Sequence, residues 1–297
     1  MPLEVSHTNS SVSLGIPDQP LSAKSLQISL PNKRLTDWSP LHHRDSHSLI
    51  LRTVQAWKDN SITDQYLIYA KVDSQTFKWE MVPYQKCKSF VTRAIQQIKI
   101  LWRIVFGGIK ISEKNKKEIL EKYREIFQKP ITKKHSAEES KSNDAFCKEE
   151  TIKRQLVLSG NKVNVLFNYA PIGFGGEKLH FLVVPKRHCE NISNLTQDEF
   201  CESMDLTQKI VEHLQKTRQI KAVYIFGKEG KDAGQTVSHA HIQLTATTKT
   251  AQDIMGKLTV FKNILFGSKP MKAKDLQERV RTLSHEFTNL RLTPANT

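Results

Sequence analysis

The sequence is poor in cysteine, and none of it sits at a metal-binding or redox spacing. Cys87, Cys147, Cys189 and Cys201 are scattered, with no C-x-x-C pair among them. Four isolated thiols fit a reducing compartment, so the cytoplasm is the expected location. A long apolar run is also missing. The most apolar stretch, Ile98 to Phe106, is broken by Lys99 and Arg103 and falls far short of the ~20 residues that a spanning helix needs. Met1 to Pro20 shows no basic n-region and no apolar h-region, so no secretory signal is read there. Acidic residues are in deficit, with 30 Asp and Glu against 45 Lys and Arg, for a net charge of +15. These absences argue against a disulfide-stapled secreted scaffold and against an integral membrane protein. The charge suits solubility or attraction to polyanions (nucleotide, nucleic acid, acidic membrane), and alone it identifies no ligand.

What is present organises the 297 residues into one large domain or two modest ones. Residues 1–40, rich in Ser, Pro and Asn, read as a flexible arm. Residues 41–130 read as short strands followed by two helices: His47 to Pro83 contains strand-like runs at Tyr66–Tyr69 and Phe77–Met81. Phe90, Ala94, Ile98, Leu101 and Val105 then share a helical face, and Ile119, Tyr123, Ile126 and Phe127 mark a second helix after an N-cap at Ser112. Residues 131–143 are a charged, aperiodic linker. Within residues 144–250, Val163–Phe167 and His180–Val184 read as strands, the second stopped by Pro185. Thr196 to Glu199 is a capping box opening a helix with Phe200, Met204, Val211 and Leu214. Strands follow at Ala222–Phe226 and Thr236–Leu244. Residues 251–297 form a helical extension carrying Leu276, Val280, Leu283 and Phe287 on one face. Strand, strand, helix, strand, strand describes an α+β domain, an antiparallel meander with a packed helix.

The informative segment runs from Gly234 to Leu244, GQTVSHAHIQL. Alternation along a strand places His239, His241 and Gln243 on one face and Ala240, Ile242 and Leu244 on the other. The preceding turn, Gly230 to Thr236, offers glycines, backbone N–H groups and a hydroxyl, a combination suited to phosphate oxygens.

These residues, with the block Phe167-Asn168 through His180 to His188, resemble the histidine triad (HIT) superfamily of nucleotide hydrolases and transferases, over residues 144–246. The resemblance implies a HIT-like fold and a nucleotide substrate. It makes His241 the nucleophile at the α-phosphorus, with the His239 carbonyl holding its other ring nitrogen protonated. Gly234, Gln235, Thr236 and Gln243 would face phosphate oxygens, Asn168 the ribose, and His180 would be a buried structural histidine. The third triad position is Gln243, as in the nucleotidyltransferase branches; an amide donates a hydrogen bond but cannot protonate a leaving group. Asp144-Ala145-Phe146-Cys147 resembles a zinc-binding start, but the partner cysteine of Cys147 is missing, so neither metal nor cofactor is expected.

Other readings compete. His239 and His241, with His180, form a metal clip in one of them; in another they are plain polar residues on a half-exposed strand, and Asn168 is a turn residue. A third is a non-catalytic nucleotide-binding regulatory module whose basic N-terminal half engages a partner. Nucleic-acid end processing is a fourth. Members of the superfamily often form homodimers. The segment Lys88 to Phe106 allows docking on an acidic membrane or partner, although a core-packed helix with a solvated basic face is favoured. Val82-Pro83 echoes Val184-Pro185 and is read as chance, despite relatives that contain two copies of the fold.

Overall fold

The computed structural model describes residues 11–72, 76–128, 144–173, 177–248, 254–265 and 269–290. The expected linker, 131–143, lies outside them. The chain divides into two compact units, Met1–Ser136 with Phe226–Thr236, and Ala137–Ile225 with Val237–Thr297.

The first unit contains β1 (Ser13–Gly15), β2 (Leu26–Ser29), α1 (Pro40–Asp59), β3 (Tyr66–Val72), β4 (Lys78–Pro83), α2 (Phe90–Phe106) and α3 (Glu113–Gln128). Its strands form an antiparallel sheet in the order β1-β2-β4-β3, with Leu26 opposite Met81 and Tyr66 opposite Pro83. The segment expected as a flexible arm therefore supplies two strands from residue 13 onward. Leu14, Leu26, Ile28 and Leu35 in it are buried, and that burial offsets the cost of ordering a polar segment.

α1 corrects the expectation of strands after His47. Ser39 caps it and Pro40 occupies its first turn, where a missing N–H costs nothing. Leu49, Ile50, Val54 and Trp57 recur at helical spacing and are buried. The Trp57 indole N–H donates to the Tyr123 hydroxyl at 3.0 Å, and that hydroxyl donates to the Lys24 carbonyl at 2.8 Å. One polar chain thus ties α1, α3 and the approach to β2.

The second unit holds α4 (Glu149–Gln155), β5 (Leu156–Ser159), β6 (Val163–Phe167), β7 (Leu179–Pro185), α5 (Gln197–Arg218), β8 (Ala222–Glu229), β9 (Ile242–Thr247), α6 (Ile254–Leu265) and α7 (Ala273–Glu286). β8 passes out of this unit at Phe226. The strands run in the order β8-β9-β7-β6-β5, and the α+β class holds. β7 is buried along its whole length because both of its faces are covered. Leu182 and Val184 pack with Leu166, Phe146 and Ile152, while Phe181 meets Phe167 and Phe287. α5 is capped as expected: Thr196 accepts from the Glu199 N–H, and Arg187 grips the Glu199 carboxylate at 2.8 and 3.0 Å.

The two units share a topology. β1-β2-α1-β3-β4 lie in the spatial order 3-4-2-1, and β6-β7-α5-β8-β9 lie in the order 8-9-7-6. β4 thus corresponds to β9. Where β9 enters with His241 and Gln243, β4 enters with Phe77 and Trp79, buried and edge-to-face at 5.0 Å. The Val82-Pro83 echo equates β4 with β7, which is the wrong pair of strands, so it is chance.

Glu80 on β4 accepts from the Leu21 N–H at 2.6 Å, and burial pushes its carboxyl up to about 7, only partly opposed by that N–H and by Ser25. The folded state therefore keeps a proton that the unfolded chain releases near 4.5. Stability from this group is full below that value and is lost as pH rises to about 7. Glu80→Gln, which keeps the carbonyl acceptor, is expected to flatten that slope. It should stabilise the first unit at pH 8 by on the order of 2 kcal/mol, read by urea denaturation at both ends of the range.

Candidate active site

The site grows from the junction of β7 and β9. His180 pairs across the strands with Thr245 and Leu182 with Gln243, so the side chains of His180 and Gln243 share a sheet face on a diagonal. β9 begins only at Ile242, which shortens the strand expected from Thr236; His239 ends a bend and His241 lies just before the strand. The approach to β9 is pinned by the Ala240 N–H, which donates to the Cys189 carbonyl at 2.6 Å.

A directional chain of hydrogen bonds crosses the site. The Ile172 N–H donates to Nδ1 of His180 at 3.1 Å. His180 is therefore protonated at Nε2, which donates to Oε1 of Gln243 at 3.2 Å. The Gln243 amide in turn donates to Nε2 of His241 at 3.2 Å, and Nδ1–H of His241 donates to the His239 carbonyl at 2.8 Å. A backbone donor starts the chain and a backbone acceptor ends it, so both tautomers and the amide orientation between them follow. His180 and His241 are buried, and the Phe146 ring lies edge-on to that of His241 with 5.4 Å between ring centres. Asn168 adds its amide nitrogen 3.3 Å from Nδ1 of His180, and its Oδ1 accepts from the Ala170 N–H at 3.0 Å. In this structure it closes an Asx turn and supports His180.

The His239 ring takes other partners. It is fully buried, with Nε2–H donating to the Pro185 carbonyl at 3.1 Å. Nδ1 is left with a free lone pair facing Asp144 at 3.3 Å and the Cys147 thiol at 3.7 Å. His188 completes the group, its Nδ1 lying 2.9 Å from Asp144 and 3.6 Å from Cys147. All four ligand atoms lie within 4.8 Å of one another. Four-coordinate zinc, with bonds of about 2.0–2.3 Å, has ligand-to-ligand edges of about 3.3–3.6 Å. Burial raises the Asp144 carboxyl, but the Cys147 thiol, the Phe146 N–H and His239 together hold it below the ordinary carboxylate range. Burial pushes His239 down despite Asp144, which favours the neutral, ligating ring. A thiol, two imidazoles and a carboxylate with converging lone pairs fit zinc, and the Pro185 carbonyl orients one imidazole from behind. Where the sequence led to no expectation of metal, the structure brings together a group of side chains that could hold one.

Gly234, Gln235 and Thr236 belong to the first unit. Their turn is closed by the Gln235 N–H donating to the Gly230 carbonyl, and by the Gly230 N–H donating to the Gln235 side-chain carbonyl at 2.7 Å. The Gln235 amide oxygen, expected at a phosphate, is thus engaged by its own turn. Gly230 and Gly234 take φ of 83° and 88°, where a side chain would be strained. Asp232 anchors the turn through Arg93 at 2.7 Å, Gln65 at 3.0 Å and the Cys87 N–H at 3.1 Å.

Residues 149–250 match the HIT domain family. Over 100 residues the chain is 31% identical to an uncharacterized HIT-like protein, SSO2163, of Saccharolobus solfataricus, spanning 34% of this chain and 69% of that one. The chain belongs to the HIT family. It is also 35% identical over 80 residues to the nitrilase and fragile histidine triad fusion protein NitFhit of Caenorhabditis elegans, covering 27% of this chain and only 17% of that protein. The fold extends further than the sequence match. An ADP-glucose phosphorylase of Arabidopsis thaliana, solved with bound ADP-glucose, superposes with a TM-score of 0.50 over 94% of this chain and 84% of its own, at 11% identity. The matched HIT domain covers the second unit's strands, and His180, His188, His239 and His241 lie within the matched residues.

Asp144, Phe146, Ile172 and His188 are site residues that the sequence reading did not assign. A signal for two of them exists: Asp144 and Cys147 keep a ligand spacing of three, and His188 closes the second matching block. Purified protein is expected to carry about one zinc per chain, and Cys147→Ala should release it while lowering the second unit's melting temperature. Metal analysis showing only background in the wild-type chain refutes the assignment.

Proposed function

We propose that the protein is a nucleotidyl hydrolase or transferase that acts at the α-phosphorus of a nucleoside diphosphate-linked substrate through His241. The observation that carries this reading is the 2.8 Å bond from His241 Nδ1–H to the His239 carbonyl. It commits the other lone pair, on Nε2, to attack. As Nε2 forms the N–P bond, the P–O bond to the leaving group breaks and its electron pair departs on oxygen. The proton stays on Nδ1, and the His239 carbonyl stabilises the positive ring. The Gln243 amide, which now donates to Nε2, passes its hydrogen bond to a phosphoryl oxygen, where negative charge grows. In a second displacement phosphate or water takes the nucleotidyl group and restores the imidazole.

The Gln243 amide beside His241 cannot hand a proton to a poor leaving group, because an amide does not titrate. The reading therefore favours leaving groups that depart as phosphate esters, sugar phosphates among them. Zinc held by Asp144, Cys147, His188 and His239 would supply structural rigidity, fixing the carbonyl that orients His241.

ADP-glucose labelled in its α-phosphate is the first substrate to test, quenched in alkaline denaturant to preserve a phosphorus–nitrogen bond. Wild-type protein is expected to acquire label. His241→Ala should acquire none and lose turnover by a factor on the order of a thousand, while binding nucleotide almost unchanged. Gln243→Ala is expected to lower kcat roughly a hundredfold. Undiminished turnover by His241→Ala eliminates the mechanism, and saturable binding without any adduct identifies a regulatory nucleotide-binding module instead.

A further inference from the structure

α2 is amphipathic, and three of its polar side chains, Arg93, Gln97 and Arg103, are turned inward and held there, while Thr92 and Lys99 are exposed. Arg93 reaches Asp232 at 2.7 Å, Gln97 donates to the Asp232 carbonyl at 3.0 Å, and Arg103 donates to the Leu21 carbonyl at 2.6 Å. Ile100 alone on this helix is buried, packed with Leu21, Val82 and Tyr84. Both ends are fixed as well. Ser89 caps the first turn, and the Ile109 N–H donates to the Pro20 carbonyl just past the left-handed Gly107. The outward face is the apolar one. Val91, Ile95, Ile98 and Trp102 form a ridge with the 4-3-4 spacing of a single helix face. With Phe90 they make up five of the nine exposed large hydrophobic side chains among the described residues; Phe90 is 77% and Trp102 48% exposed. Exposed apolar ridges of this kind on a rigid element mark interaction surfaces.

The charge around the ridge has one sign. Residues 86–112 contain six Lys and Arg and neither Asp nor Glu. A cavity of about 670 Å³ opens beside the ridge, and Lys86, Lys88 and Lys99 line it together with Thr92 and Gln96. The exposed side chains of a single helix face can insert into a soft medium. A second copy of the chain would bring these lysines against their own counterparts, at a Coulombic cost. No helix among the described residues is long and apolar enough to cross a membrane. Apolar residues with aromatics on one face, flanked by lysines and one cavity, fit a helix lying in the plane of a lipid headgroup layer.

We propose that α2 docks the first unit onto an anionic lipid surface, with Ile98 and Trp102 inserted among the acyl chains and the lysine-lined cavity taking a headgroup phosphate. Each buried apolar side chain contributes to partitioning, and the lysines add attraction that weakens with salt.

Trp102 supplies a local probe, because Trp38, Trp57 and Trp79 are buried. The full chain is mixed with phosphatidylcholine vesicles containing about 30 mol% phosphatidylglycerol, or with phosphatidylcholine alone, and sedimented. Binding to the anionic vesicles is expected to exceed the other by roughly tenfold, with a blue-shifted Trp102 emission quenched by brominated acyl chains. Ile98→Glu, on the exposed face, should reduce partitioning about tenfold with an unchanged circular dichroism spectrum, and Lys86→Gln with Lys88→Gln and Lys99→Gln should abolish the preference for anionic lipid. No partitioning onto the anionic vesicles overturns the proposal. So does partitioning indifferent to Ile98→Glu, which indicates charge attraction alone. A concentration-dependent dimer that shields Trp102 from acrylamide without lipid assigns the ridge to a second copy instead.

Discussion

One hydrogen bond sets the polarity of the whole site, the bond from His241 Nδ1 to the carbonyl of His239. An imidazole has two equivalent-looking nitrogens, and which of them is free decides what the ring can do. Here a main-chain oxygen, which can only accept, makes the choice. The Ile172 N–H, which can only donate, makes the matching choice at the far end, and His180 and Gln243 transmit it. Breaking either end leaves the remaining groups free to flip, so the site depends on where two pieces of backbone are held.

The backbone at His239 is held by a second constellation. The His239 ring joins Asp144, Cys147 and His188, and its Nε2–H bonds to Pro185 at the end of β7. The donor set therefore links the short turn before α4, the loop after β7 and the approach to β9. Those three segments are otherwise loops, which make few cooperative hydrogen bonds of their own. One residue thus serves two purposes from opposite sides: its carbonyl orients the neighbouring ring while its side chain anchors that carbonyl. The histidine motif in sequence conceals this division because both imidazoles look alike on paper.

Much of the second unit was legible because several signals agree there. The Thr196–Glu199 capping box, the stop at Pro185 and the apolar run of β7 each correspond to an element seen in the structure. The first unit hides its signals. α1 buries His43, Ser46, His47, Thr53 and Gln55 alongside its apolar residues, so the hydrophobic period is diluted and His47 to Trp57 looks like strand. β1 and β2 are too short, at three and four residues, to establish alternation. α2 misleads in a different way. Phe90, Ala94, Ile98, Leu101 and Val105 do share a face, but periodicity cannot say whether that face points inward. The deciding partners, Asp232 and Leu21, are distant in sequence. Aspartate as a metal ligand was likewise hidden by a search for cysteine pairs.

The amide at position 243 has a physical logic of its own. A histidine there would titrate within the working range of pH, and protonation would make it a donor from both nitrogens, in conflict with the His180 Nε2–H that points at it. Gln243 accepts at its oxygen and donates at its nitrogen over the same pH range, so it joins the two imidazoles with its direction unchanged. The chain of bonds thereby keeps its orientation at the expense of a proton source. That exchange suits chemistry in which the leaving group departs as a stable anion, and it suits an acceptor that arrives already ionised. The amide that cannot serve as an acid thus makes the orientation of the His241 ring independent of protonation at its neighbour.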